Sequence, residues 1–182
     1  DGAQALTVNT AGRTSFGGAV GATTALTSLT TDAPGSTGIN GGSIRTSGAQ
    51  TYGDAVLLGA ATTLTSTGMG TIDFASTVNE PHALTVNTGG LTIFRGAVGG
   101  AAALASLSTG AGGTTQIHGG TVTTIGAQTY TDAVVLSTDT TLTSTGMGAI
   151  TLASTVNSDA TARALTVDTG GTSTFGGAVG GT

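Results

Sequence analysis

The ionisable side chains are the first candidates for chemistry, and they are few and widely spaced. The 182-residue chain has nine acidic residues, four basic residues, two histidines and no cysteine. An enzyme that cleaves polysaccharides needs clustered carboxylates, commonly beside a basic residue or a cation. Asp54 and Asp132 occupy equivalent places in an internal repeat, and we expect each to bond nearby backbone in a turn, four rungs from the other. The sequence therefore predicts that the chain is not an enzyme.

Metal and phosphate ligands are equally sparse. His82 and His118 lie in different sequence contexts, and two unlinked histidines without cysteine make a poor zinc site. The Gly-Gly-x-Gly-x-Asp nonapeptide of calcium-binding β-rolls is absent, and so is the spacing of an EF-hand loop. The glycine-rich residues 17–21 lack the lysine and the following helix of a phosphate-binding loop. We predict no bound metal and no cofactor.

Two tyrosine–glutamine pairs are candidate glycan contacts. Gln50 with Tyr52, and Gln128 with Tyr130, stand in two copies of the sequence Gly-Ala-Gln-Thr-Tyr. A tyrosine ring has an apolar body and a polar tip, which suits stacking against a sugar. The opposing interpretation is that each ring covers the edge of a turn beside a glycine, as a partly buried tyrosine does. Both interpretations stay open at this point.

Threonine triplets are typical of ice-binding surfaces when every turn of one face carries them. Thr63, Thr65 and Thr67 form such a set, and residues 141–145 repeat it. The set recurs only once per long repeat, so an ice-binding plane is a less favoured alternative. A β-helix enzyme that degrades polysaccharides is equally disfavoured, because the acidic residues are scattered.

The composition indicates an uncharged surface that is rich in hydroxyl groups. Charged residues are 7% of the chain, against roughly 25% in average soluble domains. The hydrophobic share of 37%, with many β-branched residues, argues against disorder. A net charge of −5 with four basic residues argues against a nucleic-acid partner. No apolar run reaches the roughly 18 residues of a membrane span, so we predict no membrane insertion.

A long internal repeat is the main signal in the sequence. The segment that begins at Leu6 returns at Leu84 and again at Leu165, and the second interval is slightly longer than the first. The extra length falls in one variable turn, where residues 158–163 replace residues 80–82. A length change confined to one point marks a surface loop. We predict one continuous unit over residues 1–182, with long repeats at residues 5–82 and 83–163 and a partial third at residues 164–182.

Shorter spacings within the long repeat predict the fold. Aliphatic residues begin threonine-rich stretches at Leu6, Leu26, Ile44, Leu64 and Leu84, about 20 residues apart. Short alternating segments between glycines favour β-strands with tight corners, and no helical period is sustained. The sequence therefore predicts an all-β fold, a right-handed parallel β-helix (β-solenoid) with about 20 residues per rung and about nine rungs. Each long repeat would contain four rungs.

Three segments of the sequence resemble repeat segments of very large secreted bacterial proteins. They are Gly-Ala-Gln-Thr-Tyr-Gly-Asp-Ala-Val at residues 48–56, Thr-Thr-Leu-Thr-Ser-Thr-Gly at residues 62–68 and Ala-Leu-Thr-Val-Asn-Thr at residues 83–88. The whole chain is similar to the β-strand repeat regions of filamentous-haemagglutinin-type adhesins. The resemblance implies a right-handed parallel β-helix shaft, export to the cell exterior, and a role in adhesion, biofilm or sheath formation. It carries over no functional residues.

The predicted function is a structural and adhesive shaft segment of a large bacterial extracellular fibre or surface protein. The alternative is a glycan-binding adhesin module that uses the Tyr/Gln/Asp turn face. An open rung exposes unpaired backbone groups, and neither end of the chain has a capping segment. We therefore expect a longer natural polypeptide or end-to-end self-association, with lateral packing and host or matrix glycans as further partners.

Overall fold

The protein is a parallel β-helix, as the sequence predicts. A computed structural model describes residues 1–110 and 112–181, and within them it has strands and turns but no helix. The chain winds through about eight turns, with stacked strands about 22 residues apart. Each turn passes three faces in the same order, so the cross-section has three sides and three corners. All the strand pairings between turns are parallel in the described residues.

The first face is an eight-stranded sheet, and Val179 continues it through a single bridge to Val156. Its strands are β1 (Ala5–Val8), β3 (Ser28–Thr31), β6 (Gln50–Tyr52), β9 (Ile72–Phe74), β12 (Leu91–Phe94), β14 (Thr114–Ile117), β17 (Ala133–Leu136) and β20 (Val156–Ser158).

The second face is a four-stranded sheet followed by a three-stranded sheet, and bridges through Val98 join the two. Its strands are β2 (Arg13–Phe16), β4 (Ser36–Ile39), β7 (Ala55–Leu58), β10 (Val78–Asn79), β15 (Thr121–Thr124), β18 (Thr140–Ser144) and β21 (Leu165–Thr169).

The third face is a seven-stranded sheet, and Val20 adds a bridge below its first strand. Its strands are β5 (Ser43–Thr46), β8 (Thr62–Ser66), β11 (Ala83–Thr88), β13 (Ser106–Gly110), β16 (Gln128–Tyr130), β19 (Ile150–Leu152) and β22 (Ser173–Phe175).

Alternation along each strand separates a thin core from a threonine-rich surface. In β8, Leu64 is buried together with the residues two positions away, while Thr63 and Thr65 point outward. Paired positions lie directly above one another because the parallel strands pair in register, and neighbouring strands are about 4.8 Å apart. On the first face, Tyr52, Phe74 and Phe94 stack with ring centroids 5.3 and 5.1 Å apart. This spacing lies in the range in which offset stacked rings attract each other.

Glycine is required where the corners of successive turns approach closely. A Cβ at Gly70 would overlap the backbone of Gly48 and Ala49 in the turn below. Gly148 has the same relation to the backbone at residues 126–127. A side chain at either position would push two turns apart, so these glycines set the close stacking of the corner.

The long repeat does not contain a whole number of turns. Leu6 lies in β1 on the first face, Leu84 in β11 on the third face and Leu165 in β21 on the second face. In chain order, β11 comes three complete turns and two further faces after β1, and β21 comes the same distance after β11. Each long repeat therefore spans three and two-thirds turns. Successive copies are rotated by one-third of a turn about the axis.

This rotation corrects the predicted internal arrangement. The prediction of four rungs per long repeat is wrong, because a turn takes about 22 residues and the interval from Leu6 to Leu84 falls short of four such turns. The aliphatic residues spaced about 20 positions apart also fail to stack in one column. Ile44 does lie below Leu64, but Leu64 pairs with Val86, and Leu84 pairs with Thr62.

Candidate functional site

The four candidate glycan residues lie inside the β-helix. Tyr52, Tyr130, Gln50 and Gln128 each have 0% exposure. Burial raises the pKa of both tyrosine phenols far above its ordinary value, because the charged form would lose its hydration. Side chains in this location cannot touch a glycan on the surface of the folded chain. The prediction of glycan contacts through these residues is therefore wrong.

Each tyrosine–glutamine pair belongs to a hydrogen-bond network that crosses the interior. The Tyr52 hydroxyl donates to Gln50 Oε1 at 2.8 Å, and Gln50 Nε2 donates to the Thr65 carbonyl at 3.0 Å and to Thr46 Oγ1 at 3.2 Å. The second copy repeats these bonds with Tyr130, Gln128, Thr143 and Thr124. Each network ties two faces together. It satisfies polar groups that would be costly to bury without partners.

Two buried aspartates occupy equivalent corners of the two repeats. Asp132 is 2% exposed, and its Oδ1 accepts the backbone N–H groups of Gly112 and Gly113 at 3.1 Å each. Asp54 is 4% exposed, and its Oδ1 accepts the Thr37 hydroxyl at 2.7 Å. Asp132 thus bonds backbone of the preceding turn of the β-helix, and not backbone of its own corner as was expected, whereas Asp54 bonds side chains.

One substitution between the copies accounts for part of this difference. Pro34 stands where the second copy has Gly112, and proline has no N–H to donate. In residues 1–110 and 112–181, Asp54 Oδ2 is buried and has no hydrogen-bond partner.

The two aspartates cannot act as a pair of catalytic carboxylates. Asp54 lies at the corner between the first and second faces in the third turn. Asp132 lies at the corner between the third and first faces, more than three turns further on. The two aspartates are equivalent in the sequence repeat, but the structure places them at different corners of the β-helix.

The threonine triplets are likewise on different faces. Thr63 and Thr65 point outward from β8 on the third face, and Thr141 and Thr143 from β18 on the second face. An ice-binding plane needs such sets on one face. The rotation between repeats therefore removes the geometric basis of that alternative.

The two methionines project from corners. Met69 is 72% exposed and Met147 is 73% exposed, and both have positive φ angles, of 61° and 63°. The Ser66 hydroxyl supports the first corner by accepting the Gly70 N–H at 2.9 Å, and Ser144 does the same at the second. Both methionine side chains therefore point away from the interior. They are apolar knobs on the outer surface.

Metal-ligating side chains are not grouped in the part of the chain that the structure describes. No set of three or more His, Asp or Glu residues there converges on a point where a metal ion would fit. His118 instead shares a half-buried cluster with Gln116 and Ser137, each 3.4 Å from its Nε2. Nor does this part of the chain contain a helix that could span a membrane.

Each of the two variable turns lines a cavity at the surface. Residues 80 and 82 border a cavity of about 310 Å³ on the second face. Residues 158–163 border a cavity of about 340 Å³ beside Gly180.

Asp159 and Arg163 form an ion pair at 3.3 Å within the longer turn. The Thr161 backbone N–H, together with Arg163, lowers the pKa of the Asp159 carboxyl. The sequence located these turns by their length change but not the cavities.

Comparison with known proteins finds no matching family model, no matching curated protein and no matching solved structure. The resemblance to filamentous-haemagglutinin-type repeats therefore stays a prediction.

Proposed function

We propose that this chain is a shaft segment of a large bacterial extracellular fibre or surface protein. The observation that carries the proposal is the constant advance of the long repeat. The copies at residues 5–82 and 83–163 differ in length, yet both span three and two-thirds turns, so a further copy continues the same β-helix without a break. A repeat that adds length without interrupting the backbone ladder is suited to building a rod.

The surface chemistry supports a mechanical role. Backbone ladders run along the axis on all three faces, and a thin core of aliphatic and aromatic side chains joins the faces. In the described residues the ion pairs are Asp73–Arg95 and Asp159–Arg163, both on the surface. A hydroxyl-rich surface with so few charges makes few nonspecific ionic contacts. A rod of this kind suits exposure to varied ionic conditions outside the cell.

Self-association, end to end or lateral, is the partner interaction that belongs to this proposal. The edges of β1 and β2 at one end, and of β21 and β22 at the other, lack a neighbouring strand in the described residues. Phe175 is 45% exposed and Val179 is 54% exposed beside the second end. Further turns of the same three-sided cross-section would pair these edges and cover these side chains. Lateral contacts between rods would use Met69 and Met147, which the rotation places on different corners.

Immunogold electron microscopy on intact cells of a producing bacterium tests the proposed function. Antibodies raised against residues 1–182 are expected to label filaments outside the cell. Preincubation of the antibodies with the purified chain provides the control and should abolish the label. Labelling confined to the interior of permeabilised cells contradicts the proposal.

A further inference from the structure

A groove on the second face gathers charged residues in a chain that has few of them. Its cavity of about 310 Å³ is lined by Arg13, Leu57, Leu58, Gly59, Glu80 and His82. Ligand sites in proteins start at a volume of roughly 300 Å³. We call this cavity the Arg13 groove.

Arg13 forms one end of the groove. Its side chain begins in the first turn and lies across Gly38 in the second, where a Cβ at residue 38 would come within 2.7 Å of Arg13 Nη2. Glycine at this position therefore lets the guanidinium lie flat against the sheet. Arg13 is exposed and belongs to neither of the two ion pairs found in residues 1–110 and 112–181. Its donors face solvent and are open to an anion.

The first variable turn forms the opposite end. Glu80 has a φ of 95°, which side chains other than glycine rarely adopt, and the His82 N–H donates to the Glu80 carbonyl at 2.7 Å. This tight turn fixes both side chains on the rim of the groove. A strained backbone at a cavity is a reason to look for function there. Glu80 supplies a hydrogen-bond acceptor, and the His82 ring supplies either a donor or an acceptor.

The second long repeat lacks this arrangement and serves as an internal comparison. At the equivalent positions Leu91 replaces Arg13, Gln116 replaces Gly38 and Ser137 replaces Gly59. Gln116 and Ser137 meet at His118 and fill the surface with side chains. The second copy also has a cavity at its variable turn, but an arginine lying across a glycine is a feature of the first copy alone.

We propose that the Arg13 groove binds a carboxylated sugar, a uronic acid unit of an acidic polysaccharide. The Arg13 guanidinium can bind the carboxylate through two parallel hydrogen bonds. Glu80 and His82, which follow the fourth-turn strand β10, face the sugar hydroxyls at the other end of the groove. The half-buried Leu57 side chain offers an aliphatic surface to the C–H groups of the ring.

The charge distribution favours this ligand over a simple anion. The cation and the acceptor lie at opposite ends, so the ligand needs an anionic group at one end and hydrogen-bond donors at the other. The net charge of −5 repels every polyanion, an acidic polysaccharide included, so binding must come from local contacts in the groove.

Titration with an oligosaccharide of galacturonic acid, followed by NMR of the whole 182-residue chain, tests the proposal. Binding is expected to shift the His82 ring signals. The methyl-esterified oligosaccharide, which keeps the hydroxyls but lacks the charge, is expected to bind about tenfold more weakly or less. Three outcomes overturn the proposal. They are equal binding of the acid and its ester, binding of free amino acids in preference to the uronate, and no binding at millimolar concentration.

Two variants and a matched control locate the site. Arg13→Leu and Gly38→Gln introduce the residues of the second copy, and each is expected to weaken uronate binding about tenfold. Arg45→Leu removes an exposed arginine from the third face and should leave the affinity unchanged. Thermal unfolding checks that all three variants fold. Equal losses for Arg13→Leu and Arg45→Leu would mean nonspecific attraction and would refute the site.

Discussion

At the residue scale, the interior holds two tyrosine–glutamine networks whose side chains are hydrogen-bonded across the core. Gln50 bridges the Tyr52 hydroxyl on one side and backbone and threonine oxygens of the third face on the other. A buried network of this kind favours one register, because a shift of one residue would leave its groups without partners. The same side chains that looked suited to a ligand therefore position the strands.

The two buried phenols predict a loss of stability in alkaline solution. Burial holds the pKa of Tyr52 and Tyr130 far above the ordinary value, whereas in the unfolded chain both ionise near pH 10, to a first approximation. Their contribution is thus complete below about pH 10 and is lost as the pH rises above it, at up to about 1.4 kcal/mol per pH unit for each tyrosine. Equilibrium denaturation at several pH values measures this slope.

The slope can be assigned to the tyrosines, because the chain has neither lysine nor cysteine to titrate in the same pH range. Tyr52→Phe and Tyr130→Phe should each halve the slope, and the double variant should abolish it. Each variant also lowers the stability at neutral pH, since the glutamine oxygen loses its donor. A double variant that keeps the original slope would show that the phenols are not its cause.

At the element scale, the corners decide how closely the turns stack. Gly70 packs its α-carbon against the backbone of residues 48–49, and Ser66 holds the same corner through its hydroxyl. The corner places Met69 outward at a positive φ. The strands on either side are therefore joined by a corner whose backbone lies against the backbone of the turn below.

We predict that Gly70→Ala destabilises the fold by about 1–3 kcal/mol, because the new methyl group would overlap backbone that cannot move aside. Gly17→Ala is the matched control. A Cβ there meets no atom within 4 Å, so its effect should be small. Chemical denaturation of both variants measures the difference. Equal stabilities would mean that the corners are looser than the structure shows.

The strands were predictable from the sequence, but their order around the axis was not. Leu64 is one of the regularly spaced aliphatic residues, and it lies in a strand with 0% exposure, as alternation and spacing indicate. The burial of Tyr52 depends on Phe74 in the next turn and on Gln50 contacts with another face, which no local pattern reveals. Arg13 and Glu80 lie in different turns, and they line one groove only because the turns stack.

At the scale of the whole molecule, the mismatch between repeat and turn distributes surface features around the rod. Met69 lies at the corner between the third and first faces, and Met147 at the corner between the second and third. A third copy would place its methionine at the remaining corner. A long rod would then present an exposed methionine side chain in three directions, which suits lateral contact with several neighbouring rods.

An array of tandem copies of residues 5–82 tests this screw arrangement by helical reconstruction from electron micrographs. At about 4.8 Å per turn, each copy should advance about 18 Å with a rotation of one-third of a turn, and the pattern should repeat after eleven turns, at about 53 Å. Met69→Cys provides a unique site for a heavy-atom label, since the chain has no cysteine. Labels should wind over all three corners. Labels aligned on one corner, with an advance of about 19 Å, would restore the arrangement of four turns per repeat and contradict the structure.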